Sequence, residues 1–242
     1  MSLPLFEGET NSNTSTSNAT NDECILSFNN NVDIRLRLDM SVGIGGKTWP
    51  AANQFCSLIS YHTDTCSGIY NHNHYFFQNL FYGKTVIDLG SGTGLSGILL
   101  SKLYEPKRIV ITDLASHIEH IQHNIDINRP YSDKCEAIEF DWFNCQNFKC
   151  NDRYFDIVLA FECVYKESLY LPLIRSILHV SNTDTVIFLG LTRLFAKKHI
   201  FFSLLRENGL EYTMLPSSCM SSEYQQKYNL SDVGLFVLRR SL

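Results

Sequence analysis

Apolar residues along this chain recur with two periods, and the change from one to the other divides it. Val32-Asp33-Ile34-Arg35-Leu36-Arg37-Leu38 alternates apolar with polar, the pattern of a strand with one buried face. Together with Ile25-Leu26-Ser27-Phe28, across Asn29-Asn30-Asn31, it predicts a hairpin. Gly43 to Gly46 predict a loop, after which Ala51, Ala52, Phe55, Leu58 and Ile59 fall at helical spacing behind Pro50, a residue suited to a first helical turn. From Lys84 onward short apolar runs alternate with amphipathic ones. Strands are expected near 85–89, 108–113, 136–141, 155–161 and 184–190, with helices near 95–104, 115–128, 168–180 and 194–208. That alternation predicts an α/β architecture, a mostly parallel sheet covered on both faces. Tyr212 to Leu215 and Val233 to Leu238 close the chain as two strands with no apolar helix between them, which predicts an antiparallel hairpin at the sheet edge. Seven strands ending in a reversed pair differ from the six parallel strands of the dinucleotide-binding fold.

Residues 7–23, rich in Asn, Ser and Thr, cannot repay the entropy of ordering. The expected organisation is a disordered tail over 1–24 and one domain over 25–242, without internal repeats. At 242 residues and 44% hydrophobic content the chain can bury one full core. A net charge of −5 argues against a basic groove for nucleic acid and leaves a basic protein partner open. No apolar run reaches membrane-spanning length and Met1 to Leu5 lack a secretory pattern, so no membrane partner and a cytoplasmic monomer are expected. Eight scattered cysteines form no Cys-x-x-Cys pair and are expected to be reduced. Cys56, His62, Cys66, His72 and His74 match no common zinc spacing, so no metal is expected and Thr63 to His74 read as a polar surface loop.

Candidate chemistry centres on Val86-Ile87-Asp88-Leu89-Gly90-Ser91-Gly92-Thr93-Gly94, an apolar run breaking into a glycine loop. Glycines there let the backbone turn sharply and approach a ligand. Asp113, closing the next apolar run about 20 residues on, stands where a βαβ unit presents an acid to a ribose. Gly92, Gly94 and Gly97 also satisfy the dinucleotide pattern. Asp88 would repel a pyrophosphate but suits a cationic amino-acid end, and no Lys or Arg lies between Leu89 and Leu100 to neutralise phosphates. These features point to S-adenosyl-L-methionine. In an open α/β sheet the carboxyl ends of adjacent strands converge on the ligand, which brings in Asp141 and Trp142 beside an adenine, and Phe161 and Glu162.

Five ordered motifs carry a resemblance: Gly45-Gly46-Lys47-Thr48-Trp49-Pro50, the glycine loop, Thr112-Asp113 with Asn124 and Asn128, Asp141-Trp142, and Phe155 through Phe161-Glu162-Cys163-Val164-Tyr165. Over roughly residues 25 to 240 the chain resembles the family-16, methyltransferase-like-21 group of seven-strand protein-lysine N-methyltransferases. The resemblance implies a class I, Rossmann-like methyltransferase fold with an N-terminal hairpin and helix extension. It implies that Trp49, the loop of Gly90, Ser91, Gly92 and Gly94, Asp113, Trp142 and Phe161 contact S-adenosylmethionine, and that the segment ending in Tyr165 lies beside a substrate lysine. A protein substrate follows, with elongation factor 1A, a heat-shock chaperone or an ATPase as the family's examples. The Gly-Gly-Lys-Thr-Trp entry, Phe201-Phe202 and Arg239-Arg240 look most similar to the elongation factor 1A enzymes.

Two positions depart from the group's pattern: Glu162 stands where Asp is usual, and Phe161 where a small residue is usual. A lysine nucleophile must be neutral, and deprotonation near pH 7 from a pKa of about 10.4 costs roughly 4 to 5 kcal/mol. A carboxylate favours the ammonium form. Glu162 is therefore expected to capture and orient the lysine rather than deprotonate it, with Tyr165 either orienting that pair or packing behind the sheet. A small-molecule methyltransferase would share the cofactor half of this site, and a non-catalytic cofactor-binding interaction module is the further alternative.

Overall fold

The computed structural model describes residues 23–28, 32–61, 72–192, 198–216 and 233–241. The tail expected over 1–24 therefore lies outside the described residues except for its last two, which open strand β1 (Glu23–Phe28). β1 pairs antiparallel with β2 (Val32–Arg37) as a separate two-stranded sheet, with Ile34 and Leu36 turned inward as the alternation predicts. Helix α1 (Pro50–Tyr61) follows, then α2 (His72–Phe81). The main sheet begins with β3 (Thr85–Leu89), α3 (Leu95–Tyr104), β4 (Arg108–Asp113), α4 (Ala115–Asp126) and β5 (Cys135–Glu139). It continues with β6 (Ile157–Phe161), α5 (Tyr170–Val180), β7 (Val186–Thr192), α6 (Lys198–Glu207), β8 (Leu210–Met214) and β9 (Val233–Arg240). Strand order is β5-β4-β3-β6-β7-β9-β8, parallel except for β9, which runs against both β7 and β8.

Each central strand feeds two cores. Val86 faces α1, α3 and α4 on one side of the sheet, while Ile87 faces α5 and α6 on the other. Burial on both faces explains why β3 and β6 read as unbroken apolar runs instead of alternating ones. Helix α2 departs from the surface loop expected through His74. Phe77 and Phe81, one helical turn apart, stack at 5.9 Å, and Phe81 meets Phe55 edge-on at 6.5 Å, which covers the end of the first core. The third parallel strand is also shorter than expected. It ends at Glu139, and the carboxylate of Asp141 caps a 3-10 turn over Trp142–Asn147 by accepting from the Phe143 N–H at 3.0 Å. Cys56, counted among the paper zinc ligands, is buried in α1 and lies 3.9 Å from the Ser96 hydroxyl. His62 and Cys66 lie outside the described residues.

Side-chain amides join the hairpin to the body. Asn128 Oδ1 accepts from the Arg35 N–H at 3.1 Å and its Nδ2 donates to the Arg35 carbonyl at 2.7 Å. Asn124 repeats this one register further along, accepting from the Arg37 N–H at 2.8 Å and donating to the Arg37 carbonyl at 3.3 Å. Two amides spaced by one turn of α4 thus satisfy an edge of β2 as a neighbouring strand would. Asn124 Nδ2 also donates to the Thr93 carbonyl at 2.9 Å, which ties the hairpin to the glycine loop.

Candidate active site

The carboxyl ends of β3, β4, β5 and β6 open into one cavity of about 650 Å³, roofed by the loop from Val42 to Trp49. The glycine loop forms its floor. Gly90 and Gly92 have φ near +60°, conformations that side chains rarely adopt, and both also face close neighbours. A Cβ on Gly90 would lie 2.7 Å from the Trp142 ring, and one on Gly92 would lie 2.8 Å from the Gly45 carbonyl. Backbone bonds fasten the loop to β4: the Ser91 N–H reaches the Thr112 carbonyl at 2.9 Å, and the Gly92 N–H reaches Asp113 Oδ2 at the same distance. Asp113 Oδ1 accepts from the Leu114 N–H at 2.8 Å, so this carboxylate is held in place with its edge toward the cavity.

Asp88 lies beneath the loop at 2% exposure, facing the start of α3. Burial pushes its carboxyl up to about 8, partly opposed by a hydrogen bond from the Gly97 N–H and reinforced by the charge of Asp113. Trp49 donates its indole N–H to the Ile44 carbonyl at 2.9 Å, which folds the roof onto itself, and the Lys47 ammonium sits 4.2 Å from the centre of that ring. Tyr165 stands half-exposed at the cavity mouth, its hydroxyl pKa raised by burial of the ring.

Eleven of the twelve residues expected from the sequence line this cavity, namely Trp49, Asp88, Gly90, Ser91, Gly92, Asp113, Asp141, Trp142, Phe161, Glu162 and Tyr165. Gly94 does not. It turns the chain into α3 at φ +80°, and the side where a Cβ would stand faces Ile98, Ile111 and Ile121 in the core. Phe161 contributes an edge only. Its ring lies 4.6 Å from that of Phe55, and the room for it comes from Gly190, paired opposite in β7, where a Cβ would lie 2.5 Å from the Phe161 ring. Glu162 lines the cavity and is held by the protein itself. Its Oε1 accepts from the Ala51 N–H at 3.1 Å, and its Oε2 lies 3.3 Å from the Thr192 N–H and 3.4 Å from the Thr192 hydroxyl. The residue adopts φ +58° to make these contacts, which fasten the first turn of α1 to the ends of β6 and β7.

Sequence reasoning missed Ile44, Lys47, Leu114, His117 and Phe143 as lining residues. Leu114 and Phe143 are 50% and 61% exposed, each just past a strand end. Their signal was adjacency: each follows a predicted acid or tryptophan without belonging to an apolar pattern. His117, one turn after Asp113 and 3.5 Å from it, packs its ring against Gly45. Spacing alone could have placed it on the ligand side of α4.

A seven-strand sheet in which β9 alone is reversed, with a glycine loop and acids at its switch point, defines a class I methyltransferase fold. A solved putative methyltransferase complexed with SAH (SMU.776) shares this fold at a TM-score of 0.59 and 14% identity, over 93% of this chain and 58% of that one. The chain belongs to the lysine methyltransferase family, whose model matches residues 28–208. Relatives include EEF1A lysine methyltransferase 3 of Mus musculus, 30% identical over 62% of this chain and 56% of that protein. Protein-lysine N-methyltransferase EFM6 of Saccharomyces cerevisiae is 28% identical over 69% and 71%. METTL21A of Danio rerio, a protein N-lysine methyltransferase, is 30% identical over 52% and 57%. The chain spans about half the length of the first relatives it matches.

The cofactor of this family, S-adenosylmethionine, fits the residues present. The turn at Gly90 and Gly92 has no room for a Cβ beside Trp142 and Gly45, which keeps the loop's backbone bare where it lines the cavity, and the Ser91 hydroxyl oxygen is buried with no protein hydrogen-bond partner. Asp113, Asp141 and Glu162 line the cavity against a single lysine, and Asp88, held protonated by burial, can ionise beside a cation, a balance suited to a cation and hostile to phosphates.

Proposed function

We propose that this protein transfers a methyl group to a lysine side chain of a protein substrate, with elongation factor 1A as the first substrate to test. The observation that supports the reading is one of coincidence: every residue lining the cavity falls inside the span matched by the lysine methyltransferase family. When bound, S-adenosylmethionine supplies a methyl group made electrophilic by its sulfonium. Asp113 would hold ribose hydroxyls, and Trp142 with Leu114 and Phe143 would flank the adenine with apolar surface. Asp88 would meet the amino-acid ammonium, which would return that carboxyl to its ionised form.

The lysine enters past Tyr165 and the acids draw its ammonium inward. Its proton leaves to water, a loss that the same acids oppose and that the positive charge of a bound sulfonium would favour, and the neutral amine then needs a group that accepts or donates without competing for charge. The Tyr165 phenol meets that need: its raised pKa keeps it protonated, so it orients the amine and does not act as a base. Glu162 acts through α1 as a positioning residue for Trp49 and the roof. The experiment is transfer of labelled methyl to purified elongation factor 1A and to a heat-shock chaperone, with the mark located by mass spectrometry and Asp113→Ala as control. A lysine marked only by the unmutated protein supports the reading. Cofactor binding with no transfer to any protein refutes it in favour of a non-catalytic module, and transfer to a small metabolite favours a small-molecule enzyme.

A further inference from the structure

The cavity holds a cation that the proposed reaction does not use. Among the described residues Lys47 is the one lysine or arginine that lines it, and its ammonium rests 4.2 Å above the Trp49 ring without a carboxylate in ion-pair range. Everything else charged on that side of the cavity is acidic. Asp88 and Glu162 stand at the β3 and β6 ends, near the starts of α3 and α1. A helix N-terminus is the ordinary place for a small-molecule carboxylate. Here the Ala51 N–H of α1 is already taken by Glu162 and the Gly97 N–H of α3 by Asp88. The ribose-suited Asp113 and the purine-suited Leu114, Trp142 and Phe143 lie at the opposite, β4 and β5, side, with His117 beside Asp113. The side under Lys47 and Trp49 is left for the amino-acid part of the ligand.

We propose that Lys47 is the site's carboxylate receptor, the residue that selects a cofactor carrying an intact amino-acid end. This rests on S-adenosylmethionine being the cofactor. Its sulfonium and ammonium suit the acids already present, while its one carboxylate has no other cationic side chain to meet on that side. Exchange of a cation-π contact for a charge-assisted hydrogen bond favours movement of the ammonium from the indole to the ligand. Lys47 is exposed on a flexible stem, so the movement disturbs no packed element.

The test is calorimetric titration of the full chain with S-adenosylmethionine and with its decarboxylated analogue, which lacks only the carboxylate. Wild-type protein should prefer the complete cofactor, and Lys47→Met should remove about tenfold of that affinity, the size of one charge-assisted hydrogen bond, while leaving the analogue unchanged. Lys47→Arg should restore most of the preference. Equal weakening of both ligands by Lys47→Met, or no change in either, overturns the assignment. Wild-type protein that binds both ligands equally overturns it alone; wild-type protein that binds neither overturns the cofactor reading with it.

Discussion

Replacement of Asp88 by Asn separates the cost of the site from its use. The carboxyl is fully enclosed beneath the glycine loop and titrates near 8, far above an unfolded aspartate at about 3.9. The folded protein therefore binds this proton more tightly than the unfolded chain. Stability associated with neutral Asp88 is intact below the unfolded value and is lost as pH rises through about 8. Each pH unit crossed costs about 1.4 kcal/mol, so at pH 7 the ligand-free protein carries roughly 4 kcal/mol of penalty that an amide of the same shape does not. Thermal and denaturant unfolding of both proteins without cofactor should coincide near pH 4 and diverge as pH rises, with Asp88→Asn the more stable. A chain of this size gains about 2–4 °C in Tm per kcal/mol. The same variant should lose measurable affinity for S-adenosylmethionine, because its ammonium then meets no charge. An Asp88→Asn protein that is no more stable than wild type at pH 8 refutes the reasoning.

Gly190→Ala should destabilise the protein by about 1–3 kcal/mol, since the new methyl meets the Phe161 ring at 2.5 Å and the Ala51 side chain at 2.9 Å. Adding Phe161→Leu should recover part of that loss in a double-mutant cycle read by urea denaturation; strict additivity would sink the size-exchange argument. Asn124→Ala should cost about 2 kcal/mol by leaving the Arg37 N–H unpaired, and hydrogen exchange should show faster exchange at that amide while the β3 amides stay protected. Unchanged exchange at Arg37 would remove the amide clamp as the hairpin's anchor.

The parallel core was legible because its elements are punctuated. Gly90, Gly92 and Gly94 break β3 from α3, and β4, β6 and β7 are apolar runs between polar turns. Helix α2 escaped because its first residues, His72-Asn73-His74, read as loop, and its buried pair Phe77 and Phe81 spans a single turn, too short for a period to emerge. The cavity's acids were legible because each lies within two residues of a strand's carboxyl end. What those acids touch was not. Glu162 and Asp88 look alike along the chain, yet one caps α1 from a left-handed backbone and the other is held nearly neutral beneath α3. Gly94 matched the glycine pattern, but only three dimensions show that its Cβ side faces three isoleucines of the core. The Phe161 departure likewise made sense only once β7 set Gly190 opposite it, a pairing that sequence spacing does not specify.

Trp49 and Trp142 are the chain's two tryptophans, and both form walls of the same cavity. Light absorbed selectively by indole is therefore emitted from that one place, whatever the twelve tyrosines contribute at other wavelengths. The molecule carries a built-in optical probe at its site, and each ring reports a different neighbourhood: Trp49 the lysine resting on its face, Trp142 the bare glycine beneath it. Replacing either with phenylalanine turns the other into a single reporter, so arrival at the two ends of the cavity can be timed separately without attaching a dye.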